Sequence, residues 1–181
     1  MPATALVAAV VLIAYAFRFG QLTGGPAVTE DGISVYFSPN GGCTEAVVNQ
    51  IDAAQHNIDV EAYEFTSRPI ADALIAAHDR GVAVRVILDD KEAREDYSLG
   101  RSLVSAGIPV YTDAHYAIAH NKIMIMDGAT VVTGSFNFTM QAEQSNAENL
   151  LVITGKPKLA QAYEENFQRH LALSQSYTSF R

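Results

Sequence analysis

The chain has 181 residues, room for one domain of about 150 residues with a short appendage and too little for two. With 49% hydrophobic and 18% charged residues it is ordinary globular material, which excludes a disordered, collagenous or coiled-coil protein. The single cysteine, Cys43, excludes an intrachain disulfide framework and a Cys-rich zinc site, and the formal charge of −8 leaves no global basic field to draw in a polyanion.

Residues 3–17 read ATALVAAVVLIAYAF, uncharged throughout, with Arg18 the first cation. The run is short of the ~20 apolar residues of a full span, and it lacks the polar face of a core helix. It reads as a secretory signal peptide, with Ala14 and Ala16 forming an A-x-A site but no cation ahead of the run, or as an uncleaved anchor reaching Leu22 with Arg18 at the interface. Either way the domain sits at or beyond a membrane: periplasmic, secreted or membrane-anchored. Residues 20–32, rich in Gly and polar side chains, read as a linker.

The domain is expected over 33–175, with a frayed tail at 176–181. Residues 33–37 alternate as a strand, and 43–55 carry Val47, Val48, Ile51 and Ala54 at helical spacing. A strand is expected over 58–65. A helix then starts near Pro69 and ends at Gly81, and 82–88 form an apolar strand covered on both faces. Residues 99–106, Gly107 and 108–111 repeat that helix-Gly-strand unit. Two such units predict an α/β fold, a layered α/β/α sandwich whose mixed sheet is largely parallel. Residues 121–127 and 130–133 suit a hairpin through Gly128-Ala129, and 138–144 suit a helical turn. A strand is expected at 148–154, then a helix at 156–173 with Leu159, Tyr163, Phe167 and His170 or Leu171 on one side. The acidic stretch 89–96 reads as a solvated loop and helix start, with no metal assigned.

Chemistry concentrates in His120, Lys122, Asp127, Gly134, Ser135 and Asn137, the pattern H-x-K-x4-D-x6-G-S-x-N. Alternation along a strand sends His120 and Lys122 to one face, a titratable nucleophile beside a fixed cation. Ser135 and Asn137, in a tight turn leaving a neighbouring strand, can donate alongside Lys122. Such donors suit the oxygens of a phosphoryl group, whose charge grows during displacement. Tyr116, Phe136 and Phe138 are candidates to stack bases, with core packing the alternative for each and Tyr116 preferred for the site. His115 finds no Cys, Asp or Glu at ligand spacing for a metal.

The pattern resembles the HKD motif of the phospholipase D superfamily, and among its members the chain resembles the small single-motif bacterial endonucleases. The resemblance runs over residues 33–173 and takes in Tyr63-Glu64-Phe65-Thr66, residues 133–139 (TGSFNFT) and Asn146-Ala147-Glu148-Asn149. It implies a phosphohistidine on His120, with Lys122, Ser135 and Asn137 binding phosphate oxygens. Asp127 would hold the motif together, and Glu148 would accept a hydrogen bond from the second ring nitrogen of His120. Double displacement also needs a general acid, and one histidine cannot be both. A homodimer contributing two copies of His120 is the economical answer, which the resemblance also implies.

No cofactor is expected, since two lysines and paired donors replace a metal. The leading expectation is a nuclease without sequence preference, although no basic run marks a groove. A phospholipase or cardiolipin hydrolase at a membrane is the second, and a non-catalytic nucleic-acid or membrane binding module the third.

Overall fold

The computed structural model describes residues 25–177; the apolar segment 3–17, read as leader or anchor, and the last residues of the tail lie outside them. In chain order the elements are β1 (Val28–Glu30), β2 (Ile33–Phe37), α1 (Cys43–Ala53), β3 (Asn57–Ala62), α2 (Arg68–Asp79) and β4 (Ala83–Asp89). There follow α3 (Asp90–Arg94), α4 (Gly100–Ser105), β5 (Val110–Asp113), β6 (Lys122–Met126), β7 (Thr130–Gly134), α5 (Met140–Gln144), β8 (Asn149–Ile153), α6 (Pro157–Leu173) and β9 (Gln175–Ser176).

Among the described residues the strands form one nine-stranded sheet, ordered β1-β2-β8-β7-β6-β3-β4-β5-β9. The two helix-Gly-strand units are right for β3, β4 and β5, which pair in parallel. The expectation of a largely parallel sheet is corrected, because the other pairings, β1·β2, β2·β8, β8·β7, β7·β6, β6·β3 and β5·β9, are antiparallel. A crossover helix enforces parallel pairing only where it joins neighbours, and beyond β5 the chain returns by a loop and a hairpin.

Period-2 alternation splits the apolar side chains between two layers. Ile58, Val60, Val84, Val86, Met124 and Val132 meet Val47, Ile51, Ile70 and Leu74 of α1 and α2 on one face. Ile87, Ile123, Ile125 and Val131 meet Ala160 and Phe167 of α6 on the other. The α/β/α layering thus follows from alternation in the central strands. On α6, Leu159 is exposed and Ala160 takes the buried position expected for it, because the apolar stripe starts one residue later.

Three boundaries differ from the sequence reading. Val28–Glu30, placed in the linker, pair with β2 as an edge strand. Residues 175–177 are ordered: Gln175 and Ser176 pair with β5, and Tyr177 is buried with its N–H donating to Val110 O at 2.8 Å. Both strands are too short to show a period. The β6–β7 turn is centred on Asp127 and Gly128, not on Gly128-Ala129, with φ of 51° and 62°. Positive φ at both central positions is the geometry that favours right-twisted hairpins.

Candidate active site

The site grows from the antiparallel ladder of β3 and β6. Lys122 opens β6 opposite Ala62, and the Tyr63 N–H donates to Asn121 O at 2.9 Å, so Tyr63 is laid beside the H-x-K segment. The exposed ring of His120 rests on Tyr63, with centroids 4.6 Å apart and planes inclined at 59°. The Lys122 ammonium lies 5.1 Å from the same ring centroid and donates to His120 O at 2.7 Å. Lys122 is 6% exposed. Burial pulls its pKa below the usual lysine value, against the opposing pull of the Glu64 and Glu148 carboxylates.

The loop ahead of His120 is held from β4. One Asp89 oxygen caps α3, accepting from the N–H groups of Lys91 at 3.0 Å and Glu92 at 3.1 Å, and the other accepts from Ala119 N–H at 2.9 Å. Glu92 in turn accepts from the hydroxyl of Tyr63 at 3.2 Å. The Tyr63 platform under His120 and the loop ahead of it therefore share one support.

The second arm leaves β7 at Gly134. There φ is 150°, and a Cβ would stand 2.3 Å from Asn149 O, so only glycine lets β7 turn against β8 this closely. Ser135 and Phe136 N–H groups both donate to that same carbonyl, at 3.1 and 3.2 Å. Phe136 and Phe138 are fully buried, which settles them as core anchors, not base-stacking groups. Thr66 and Ser67 N–H groups donate to Phe138 O at 3.0 and 2.9 Å, tying this arm to the segment after β3.

Between the two phenylalanines, Asn137 Nδ2 donates to Glu64 Oε2 at 3.1 Å, while its Oδ1 is buried without a hydrogen-bond partner. The Ser135 hydroxyl donates to Glu148 Oε2 at 2.6 Å, and Asn146 Nδ2 donates to Glu148 Oε1 at 3.1 Å. The partners seen at Glu148 are thus Ser135 and Asn146, not the ring of His120 that the resemblance supplies. The β7–β8 register sets Gly134 opposite Leu150 and so carries Ser135 up to Glu148. Glu64 and Glu148, the carboxylates that hold Asn137 and Ser135, are also the two that act on Lys122. His120, Lys122, Ser135, Asn137 and Glu148 accordingly belong to one neighbourhood.

Asp127 stands at the other end of β6. Its carboxylate accepts the N–H groups of Gln55 and His56 at 2.8 Å and of Asn57 at 3.0 Å. Burial works to raise its pKa, but these three donors outweigh it and hold the carboxyl below the usual aspartate value. Asp127 therefore braces the strand that carries Lys122. Asp127→Ala leaves three amides without their acceptor and is expected to cost about 2–3 kcal/mol in urea unfolding. Because the folded pKa is depressed, this contribution is present above the unfolded value near ~3.9 and is lost as pH falls through the folded one. The variant is expected to show a flatter acid limb of stability against pH.

Tyr116 lies half-exposed with its ring 4.9 Å from His115 and 5.0 Å from His170, facing α6 and not the His120 ring. A cleft of about 470 Å³, whose lining includes His120, Lys122 and Gly134, opens between this site and α6. Among the described residues no three of His, Cys, Asp or Glu are placed to hold a metal ion. Sequence reasoning took in Tyr63, Glu64 and Asn146 only as parts of the resemblance and gave them no role, missing Tyr63 and Glu64 as members of the site and Asn146 as a partner of Glu148. No pattern within the chain announces that β3 will lie beside β6.

The family model "Cardiolipin synthase, PLD-like domain" matches residues 47–171. The chain belongs to this PLD-like family of the phospholipase D superfamily. The PLD-like domain is 41% identical to a phospholipase D of Rickettsia prowazekii over 140 residues, spanning 77% of this chain and 68% of that protein. It is 39% identical over 120 residues to a mitochondrial cardiolipin hydrolase of Xenopus laevis, spanning 66% of this chain and 57% of the relative. Among solved structures it resembles Nuc, a phospholipase D family member from Salmonella typhimurium, with a TM-score of 0.78 and 39% identity over 81% of this chain and 98% of Nuc. Membership makes this PLD-like protein a hydrolase of phosphodiester bonds, with the mixed α/β fold shared by Nuc.

Proposed function

We infer that this PLD-like hydrolase cuts nucleic-acid strands through a phosphohistidine on His120, in a site that a second copy of the chain completes. The observation carrying the reading is an exposed imidazole and a buried ammonium that share the Tyr63 ring, 4.6 and 5.1 Å from its centroid. His120 attacks phosphorus, the P–N bond forms as the P–O bond to the leaving alcohol breaks, and the His120 of the partner copy protonates that oxygen. The second imidazole then takes a proton from water, whose oxygen displaces the first and restores it. Lys122, with Ser135 and Asn137, meets the charge that builds on the phosphoryl oxygens. Glu148 sets the tautomer of His120, a role that requires it to exchange a present partner for the ring.

A second reading is hydrolysis of a phospholipid. The uncharged run 3–17, a leader or anchor that sets the domain at or beyond a membrane, favours it, and so does the similarity to proteins named phospholipase D and cardiolipin hydrolase. The two readings separate in a parallel digest of single-stranded DNA, RNA and cardiolipin vesicles in EDTA. Cleavage of nucleic acid with vesicles untouched is the expected result. Cleavage of the lipid alone, or of neither until a divalent cation is restored, would overturn the inference.

A further inference from the structure

The cleft beside His120 has a second wall that the reaction just described does not use. It is built by α6, where Ala162, Asn166 and Arg169 follow at helical spacing and so share a stripe facing the β6–β7 side. The opposite side carries His120, Asn121, Lys122 and Thr133. The lining is rich in hydrogen-bonding side chains, which suits sugar and phosphate and not an acyl chain.

Arg169 is set apart from the other described arginines by its surroundings: Arg80, which among the described residues likewise shows no ion pair, spends its guanidinium on the Ile51 and Asp52 carbonyls at 3.1 and 3.4 Å and lies outside the cleft lining. Arg85 is bound to Asp59 and Glu164, Arg68 to Asp72, Arg94 to Asp90 and Arg101 to Asp96. Arg169 is exposed, and among the described residues no ion pair with a carboxylate engages it; its Nη2 donates to Asn166 Oδ1 at 3.1 Å, which aims the guanidinium without neutralising it. The carboxylates nearest in sequence on the helix are engaged elsewhere, Glu164 with Arg85 at 3.3 Å and Glu165 with Gln161 at 3.0 Å. A poised guanidinium in a polar cleft is a bidentate receptor for phosphate.

We propose that Arg169 receives a second phosphate of the substrate, the neighbour of the one His120 attacks, so that this cleft selects a strand carrying successive phosphates over an isolated phosphodiester. This rests on the reading of His120 as the nucleophile for nucleic acid, and it adds which linkages are preferred and by what residue. The nucleotide between the two phosphates lies along Asn121, Thr133 and Asn166. In a protein of net charge −8, one aimed cation in the cleft replaces the basic groove that the sequence lacks.

The test uses the full chain and thymidine dinucleotides with no terminal phosphate, a 5′-phosphate or a 3′-phosphate. The wild type is expected to favour one phosphorylated form over the bare dinucleotide by about tenfold in kcat/KM, the worth of a charge-assisted contact. Arg169→Gln is expected to bring that ratio close to one, and on longer single strands to reduce the slope of log affinity against log salt by ~0.7. Lys158→Gln, an exposed cation on the same helix outside the cleft lining, is expected to leave the ratio as it is. A wild type indifferent to both terminal phosphates, or a preference that survives Arg169→Gln, overturns the inference alone. An Arg169-dependent preference confined to cardiolipin over singly phosphorylated phosphatidylglycerol overturns the choice of nucleic acid. Absence of His120-dependent turnover on every dinucleotide removes the reading beneath it.

Discussion

Replacing His120 by Asn is expected to lower phosphodiester turnover by at least about 10⁴-fold, as loss of a covalent nucleophile does, while leaving the unfolding midpoint close to the wild type. The ring is exposed and stacks only on Tyr63 in the described structure, so little packing is lost. Acid quench of wild type with labelled substrate is expected to trap phosphorus on the protein, and the variant to trap none. Dimer function can be read with the same variant. When wild type is exchanged into excess His120→Asn, activity per wild-type subunit is expected to collapse as mixed dimers replace homodimers. Undiminished activity in the mixed species, or a fully active monomer in sedimentation, would show that one imidazole suffices.

Lys122→Met is expected to lower kcat by about 10²–10³-fold, the usual cost of removing one donor to a developing oxyanion, and at the same time to stabilise the fold. The ammonium is buried, and its pKa is depressed first by that burial. A lysine whose folded pKa lies below the unfolded value near ~10.4 binds its proton more weakly in the folded state. Its unfavourable contribution is therefore complete below the folded pKa and disappears as pH rises past the unfolded one. Removing the charge is expected to raise stability at neutral pH by about 1 kcal/mol and to flatten its alkaline rise, measured by urea melts across pH. A variant both inactive and less stable would mean that Glu64 and Glu148 need the cation more than the fold resents it.

The H-x-K pattern and its companion turn were legible because each is local. His120 and Lys122 lie two residues apart on an alternating segment, and Gly134, Ser135 and Asn137 sit in one turn. The layers were legible too, from the runs in β3, β4 and β6. What sequence could not supply were relations between distant segments. Tyr63 and Glu64 follow β3 by one and two residues, and nothing in the period says that β3 lies antiparallel to β6, whose Lys122 pairs with Ala62 and Met126 with Ile58, since that choice is made by the returning chain. Ser135 takes Glu148 because β7 and β8 are neighbours, a fact of register and not of composition, whereas Asn146 reaches the same carboxylate from two residues away. Asp127 shows the converse: its place in the pattern was plain, but its grip on residues 55–57 appears only when the hairpin end meets the start of β3.

The two-residue strand β9 covers the outer side of β5, and Tyr177 locks it down with its hydroxyl donating to Ala93 O at 3.0 Å. Without them β5 would present a raw row of peptide groups, a template on which further molecules can add. A protein trimmed at Ser174 for convenience of preparation would then assemble along the wrong rim. Any count of subunits made on it would report adhesion between sheets and could not test the proposed partnership of two imidazoles around one phosphorus.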